Sequence, residues 1–102
     1  MGALATRRLI WRGNVQGVGF RVSVQRAATR GRVDGWVRNR TDGSVEALLV
    51  GSGDAIDAVV QSLSREWGTQ ISSVDSKDEP PTSVDGFRIV ATVSPSATGT
   101  SH

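Results

Sequence analysis

A chain of 102 residues, 37% hydrophobic and 22% charged, fits one small globular domain and leaves no room for a second independent core. With no Cys and its one His at position 102, it excludes disulfide staples, thiolate nucleophiles, Ser-His-Asp triads, phosphohistidine intermediates and the common Cys- or His-ligated metal sites. The net charge of +2 is unevenly spread: residues 1–50 hold nine Arg against Asp34, Asp42 and Glu46, and residues 51–102 hold three cations against seven carboxylates, so the first half should favour an anion.

Met1 to Thr6 reads as a short extension, too brief for a charged-then-apolar secretory leader. Residues 7–15 are rich in strand formers, with Leu9, Trp11 and Val15 on one parity, and form the first predicted strand. After the glycine-bearing segment Gln16 to Phe20, the apolar residues Phe20, Val24, Ala27 and Ala28 fall at helical spacing, which predicts a helix of about ten residues with its exit at Gly31. Val33–Arg40 and Ser44–Val50 are strand-like runs joined through Asp42-Gly43, a dipeptide that supplies the positive φ of a tight hairpin. These two strands should be antiparallel neighbours. Asp54 and Asp57 sit where a helix dipole favours negative charge and mark a helix start. Ile56, Val59, Val60, Leu63 and Trp67 then recur at amphipathic spacing, predicting a second helix that ends at Gly68. Ile71–Lys77 is a candidate short strand, Pro80-Pro81 is a break, and Phe87, Ile89 and Ala91 alternate inward along a last strand. Residues 94–102 carry almost nothing to bury and read as a disordered tail.

The order is β-α-β-β-α-β with one additional edge strand. Two helices covering one face of a mostly antiparallel, four- to five-stranded sheet make a ferredoxin-like α/β sandwich, an α+β fold expected to span residues 7–93. No run approaches the roughly 18 apolar residues of a membrane span, and the chain reads as cytoplasmic with no membrane partner. Residues 1–6 fit a loose myristoylation pattern and Asn39-Arg40-Thr41 is formally a glycosylation sequon, but both patterns are short and are treated as coincidence.

The most unusual stretch is Gly13-Asn14-Val15-Gln16-Gly17-Val18-Gly19-Phe20-Arg21, where two glycines bracket one residue between a strand and a helix N-terminus. Consecutive backbone amides in such a turn, followed by the positive end of a helix, can cradle an anion the size of a phosphate or carboxylate. Arg21 adds a planar fork able to bind two oxygens at once. Spacing alone equally allows a glycine-rich turn beside a solvated arginine. Known phosphate patterns do not decide between them: residue 22 is Val, so G-x-G-x-x-G fails, and no Gly-Lys-Ser/Thr is present.

That loop, followed by Gly35-Trp36-Val37-Arg38-Asn39 and by Asp42-Gly43-Ser44-Val45-Glu46, resembles the acylphosphatases, in three blocks in the right order from about Leu9 to Ile89. The resemblance implies a small ferredoxin-like enzyme that hydrolyses the carboxyl–phosphate bond of acyl phosphates. By position, Gln16, Gly17, Val18, Gly19 and Phe20 form the phosphate-holding loop, Arg21 matches the family's substrate-binding arginine, and Asn39 its water-orienting asparagine. The expected partners are a small acyl phosphate and inorganic phosphate, the latter as product and competitive inhibitor, with no nucleic acid, no metal, no cofactor and a monomeric state. Two departures stand out. The helix exit reads Gly31-Arg32 where Leu-Gly is usual, placing Arg where a glycine normally takes positive φ, and Thr69 follows Gly68 where proline is common.

The absence of an internal base is no obstacle to this chemistry. An acyl phosphate departs as a carboxylate that needs little protonation, and phosphoryl transfer asks mainly for charge neutralisation and alignment. Arg21 and the amides of Gln16 to Phe20 can supply the first. Asn39 cannot remove a proton near neutral pH, but its amide can hold a water in line with phosphorus, with a phosphate oxygen as acceptor of the proton. Without the resemblance, Asn39 would read as a turn-flanking residue that satisfies backbone groups. Trp11, Trp36 and Trp67 are expected to pack or to lie half-buried.

The main alternative is a non-catalytic anion- or RNA-binding ferredoxin-like module. An RNA-recognition sheet wants the Lys/Arg-Gly-Phe/Tyr-Gly/Ala-Phe-Val-x-Phe/Tyr pattern, which the sequence lacks. A third reading, an acylphosphatase-like domain within a carbamoyl-transfer maturation enzyme, would call for further domains beyond residue 102.

Overall fold

The computed structural model describes residues 4–94. In chain order the elements are β1 (Leu4–Gly13), α1 (Phe20–Arg30), β2 (Asp34–Asn39), β3 (Val45–Ser52), α2 (Gly53–Trp67), a 3-10 turn at Gly68–Gln70, β4 (Ile71–Asp78) and β5 (Phe87–Ile89). They form one sheet of order β4-β1-β3-β2-β5, antiparallel except for the parallel pair of β2 with β5. The order 4-1-3-2 under two helices is the ferredoxin-like sandwich, and β5 adds a fifth strand beyond β2. Thus the Ile71–Lys77 run is integral to the fold, and the Phe87 strand is the additional one.

Alternation along the strands decides what each face buries. Leu9 and Trp11 of β1, Val37 of β2, and Val45, Ala47 and Leu49 of β3 meet Phe20, Val24 and Ala28 of α1 and Ile56, Val59 and Leu63 of α2. On the opposite face, Arg8 and Arg38 converge on Glu46, which is buried with its carboxylate 3.2 Å from Arg8 Nη1 and 2.9 Å from Arg38 Nη2. The Arg38 guanidinium also lies over the Trp36 ring, 4.4 Å from its centroid. Trp36 is therefore covered by a neighbour and does not present a bare stacking platform. Segment 79–86 links the two edges of the sheet and crosses that same face, since Thr82 N–H donates to the Thr6 hydroxyl and Glu79 N–H to the Thr6 carbonyl. Leu48 and Val50, which alternate onto that face, are buried.

Several boundaries differ from the sequence expectation. β1 begins at Leu4, so Leu4, Ala5 and Thr6 pair with Ser52, Gly51 and Val50 and are part of the sheet, not of an extension. Val15 lies beyond β1, in the loop, yet is buried. The cap of α2 is Ser52, whose hydroxyl accepts from Ala55 N–H, two residues ahead of the expected start at Asp54. In the last strand only Phe87 packs on the core and Ile89 is 36% exposed; the strand ends at Ile89, so Ala91, expected to continue its inward alternation, lies beyond it and is exposed. The expected disordered tail lies, beyond Ser94, outside the described residues.

The exit of α1 closes as a Schellman motif, with Val33 N–H donating to the Ala28 carbonyl and Arg32 N–H to that of Thr29. The left-handed position of that motif is Arg32, at φ 59, among the described residues the one non-glycine with positive φ. A side chain in this region costs about 1–2 kcal/mol. Arg32→Gly should therefore stabilise the domain by up to about 1 kcal/mol after glycine's larger unfolded-state entropy is subtracted, raising Tm by about 4–8 °C. A thermal melt checks it, and an unchanged or lowered Tm would show that the Arg32 side chain contributes more than its backbone costs.

Candidate active site

The glycine loop is produced by the end of one strand and the start of one helix. The register of β1 against β4 shifts between Arg12 and Gly13, lifting the chain out of the ladder, and Asn14 N–H is then held by the Gln70 carbonyl at 2.8 Å. Val15 and Phe20 both insert into the core, so the loop is pinned at both ends. Phe20 meets the rings of Trp11 and Trp67 edge-on, at centroid distances of 5.2 and 5.3 Å, which fixes where α1 begins. Between the two anchors, Gly17 and Gly19 take φ 75 and 90, values that admit glycine at no steric cost.

This conformation leaves donors without acceptors. The backbone N–H groups of Gln16, Gly17, Val18, Gly19 and Phe20 make no hydrogen bond among the described residues. The first turn of α1 has no side-chain cap and no acidic residue, so the partial positive charge at its N-terminus is uncompensated. Arg21 is partly buried and forms no ion pair among the described residues, whereas Arg7, Arg8, Arg12, Arg38 and Arg40 are all paired with carboxylates. The loop and Arg21 line a depression of about 210 Å³, walled on its far side by Ile89 of β5. Amides, helix end and guanidinium together favour an anion there.

Asn39 ends β2. It shares its face with Gly35 and Val37, the helix-covered side, and it is in register with Val45, itself opposite Trp11. Phe20 packs on that same Trp11, so Asn39 lies in the sheet row beneath the loop, about 10 Å from Trp11 at the usual strand spacing. Its main-chain carbonyl accepts from Val93 N–H at 3.1 Å, and its side-chain Oδ1 is buried without a hydrogen-bond partner. Asn39 is not among the residues lining the depression. What links the two is Gln16, whose carboxamide nitrogen donates to the carbonyls of Arg40 at 2.7 Å and Ser44 at 2.8 Å.

The turn that Gln16 grips is itself well closed. Arg40 N–H donates to the Ser44 carbonyl and Gly43 N–H to that of Arg40. Ser44 donates its hydroxyl and its N–H to Asp42 Oδ1, which holds the Asp42 carboxyl below its usual value, helped by the Arg40 and Arg12 charges. That contribution is present at neutral pH and is lost only as the pH falls through the lowered value.

All the residues picked out by sequence are at this end of the molecule, Gln16 to Arg21 in the loop and the start of α1, and Asn39 at the end of β2, outside the depression. Two features escaped sequence reasoning: the Gln16 side chain as a tie to the β2–β3 turn, and Ile89 as a wall. The first had a signal, a single carboxamide among the small and apolar residues between Val15 and Phe20. Among the described residues no group of three or more His, Cys, Asp or Glu could hold a metal ion. No helix among them is long and apolar enough to cross a membrane.

A family model described as acylphosphatase matches residues 7–89. An acylphosphatase of Azoarcus sp. (strain BH72) is 41% identical over 95 residues, covering 87% of this chain and 92% of the relative. The crystal structure of acylphosphatase from Bacillus subtilis superposes with a TM-score of 0.79 at 33% identity, covering 86% of this chain and 99% of that one. The same architecture recurs in the HypF of T. kodakarensis, with a TM-score of 0.68 and 30% identity over 85% of this chain but 12% of the longer one. With the match running from β1 through the glycine loop, the Asn39 strand and the turn to β5, this chain belongs to the acylphosphatase family and is an acylphosphatase hydrolase.

Proposed function

We propose that the protein hydrolyses acyl phosphates at a site in which Arg21 and the amides of Gln16 to Phe20 bind the phosphoryl group and Asn39 orients the attacking water. The observation that carries this reading is the run of five consecutive N–H groups, Gln16 to Phe20, that have no acceptor among the described residues, a run that contains the left-handed Gly17 and Gly19 and leads into Arg21, which is likewise without an ion pair among those residues. A phosphoryl group has three oxygens to receive them, and donors already fixed in place need no reorganisation as charge shifts during transfer. The buried, unpartnered Oδ1 of Asn39 supports its role, since an acceptor without a partner is costly and a water brought in with the substrate would relieve it. The water attacks phosphorus, the P–O bond to the acyl carboxylate breaks, the carboxylate leaves with the bonding pair, and a phosphate oxygen takes the proton. With this reading go inorganic phosphate as competitive inhibitor, a monomeric state and a cytoplasmic location.

Hydrolysis of benzoyl phosphate is the direct test. The rate should be unchanged by excess chelator, within about twofold, because Arg21 and the amides supply the positive charge that a cation would otherwise bring. The pH profile should show no basic group titrating near neutrality, as no internal His or Cys exists. Loss of activity in chelator, restored by a divalent metal, would refute the proposed mechanism while leaving the family assignment intact.

A further inference from the structure

Between the buried anchors Val15 and Phe20, the loop is tied sideways at one point among the described residues, the carboxamide of Gln16. Both of its N–H hydrogens are engaged, one by the Arg40 carbonyl and one by the Ser44 carbonyl. Gln16 opens the run of unpartnered amides, and Arg40 directly follows Asn39. One amide group therefore spans from the loop to the strand end that holds Asn39. We infer that Gln16 is a positioning residue, whose side chain sets the distance and angle between the phosphate cradle and the water held by Asn39. The inference rests on the roles proposed above for the loop and Asn39.

The cradle and its alignment should separate. The loop's own shape rests on Gly17, Gly19 and its two anchors, none of which depends on the Gln16 side chain. Both gripped carbonyls also keep a second donor, Gly43 N–H for Arg40 and Arg40 N–H for Ser44, so removing the carboxamide leaves neither without a partner and the fold survives. What is lost is the lateral register. A displacement of about 1 Å can cost a hundredfold in rate without weakening binding.

The test is a double-mutant cycle of Gln16→Ala with Asn39→Ala, reading kcat on benzoyl phosphate and Ki for inorganic phosphate, with thermal melts to confirm folding. Gln16→Ala should lower kcat by about ten- to a hundredfold and move Ki by less than about threefold. In the Asn39→Ala background the same change should cost less than about threefold in kcat, because the residue it aligns is gone. Gln16→Asn, one methylene shorter and able to reach at most one of the two carbonyls, should fall between, and it carries the same comparisons if Gln16→Ala does not fold. An unchanged kcat, a Ki that rises as much as kcat falls, or a full Gln16 effect persisting in Asn39→Ala would each overturn the inference while leaving the proposed site standing. An Asn39→Ala enzyme of normal turnover would overturn the water-orienting role and this inference together.

Discussion

In Arg21→Ala, affinity for inorganic phosphate and turnover of benzoyl phosphate should both fall by about a hundredfold or more, with the fold retained. Arg21 makes no ion pair among the described residues and is not a member of the core cluster, so its removal strands no buried carboxylate and opens no gap in the core. The loss therefore lies on the anion. Under the proposed mechanism both binding and rate should suffer, because there the guanidinium meets the phosphoryl oxygens in the ground state and again as charge moves onto them in the transition state. Arg21→Lys should do nearly as badly, since a single ammonium cannot bridge two oxygens in one plane as the guanidinium fork does. Measuring Ki for phosphate alongside kcat, with circular dichroism for folding, decides it. Unchanged phosphate affinity in Arg21→Ala would mean that the loop amides bind the anion unaided or that the site lies elsewhere.

Both helices were legible because their apolar spacing is strict, as Phe20, Val24 and Ala28 or Ile56, Val59 and Leu63 show, and because glycine marks each exit. The Asp42-Gly43 hairpin was legible for the same local reason. The strand ends were not. Leu4 to Thr6 join the sheet because β3 runs on to Ser52 and offers them partners, a long-range circumstance that no local window contains. Ile89 and Ala91 alternate like core residues, yet both are exposed and β5 ends at Ile89, before Ala91. Single-sequence patterning likewise could not tell which of the last two strands belongs to the 4-1-3-2 order, since that depends on which edge of the sheet each one reaches. For the site, the two glycines and Arg21 offered an anion cradle as one of two equal readings, and the resemblance to the acylphosphatases decided between it and a glycine-rich turn beside a solvated arginine. Asn39 drew its role only from the acylphosphatase resemblance, and the Gln16 tie spans 24 and 28 residues of sequence to two main-chain carbonyls, which have no sequence signature.

Asn39→Ala should reduce turnover by at least about a hundredfold while leaving phosphate affinity nearly unchanged, because holding a water acts on the transition state whereas the cradle acts on both states. Positioning of a nucleophile contributes up to about 7–11 kcal/mol, so a partial loss still reads as orders of magnitude in rate. Folding should be unaffected, since the Asn39 side-chain oxygen has no hydrogen-bond partner to lose and the strand pairing runs through the main chain. Asn39→Asp separates geometry from charge. It keeps the size and an acceptor, but it sets a negative charge beside an anionic substrate, so it should weaken phosphate binding where alanine does not. Turnover and competitive inhibition by phosphate, measured for both variants beside the parent, give the answer. If folded Asn39→Ala turns over benzoyl phosphate within a few-fold of the parent, Asn39 is only the end of a strand, and the water must be oriented by the substrate itself or by the loop.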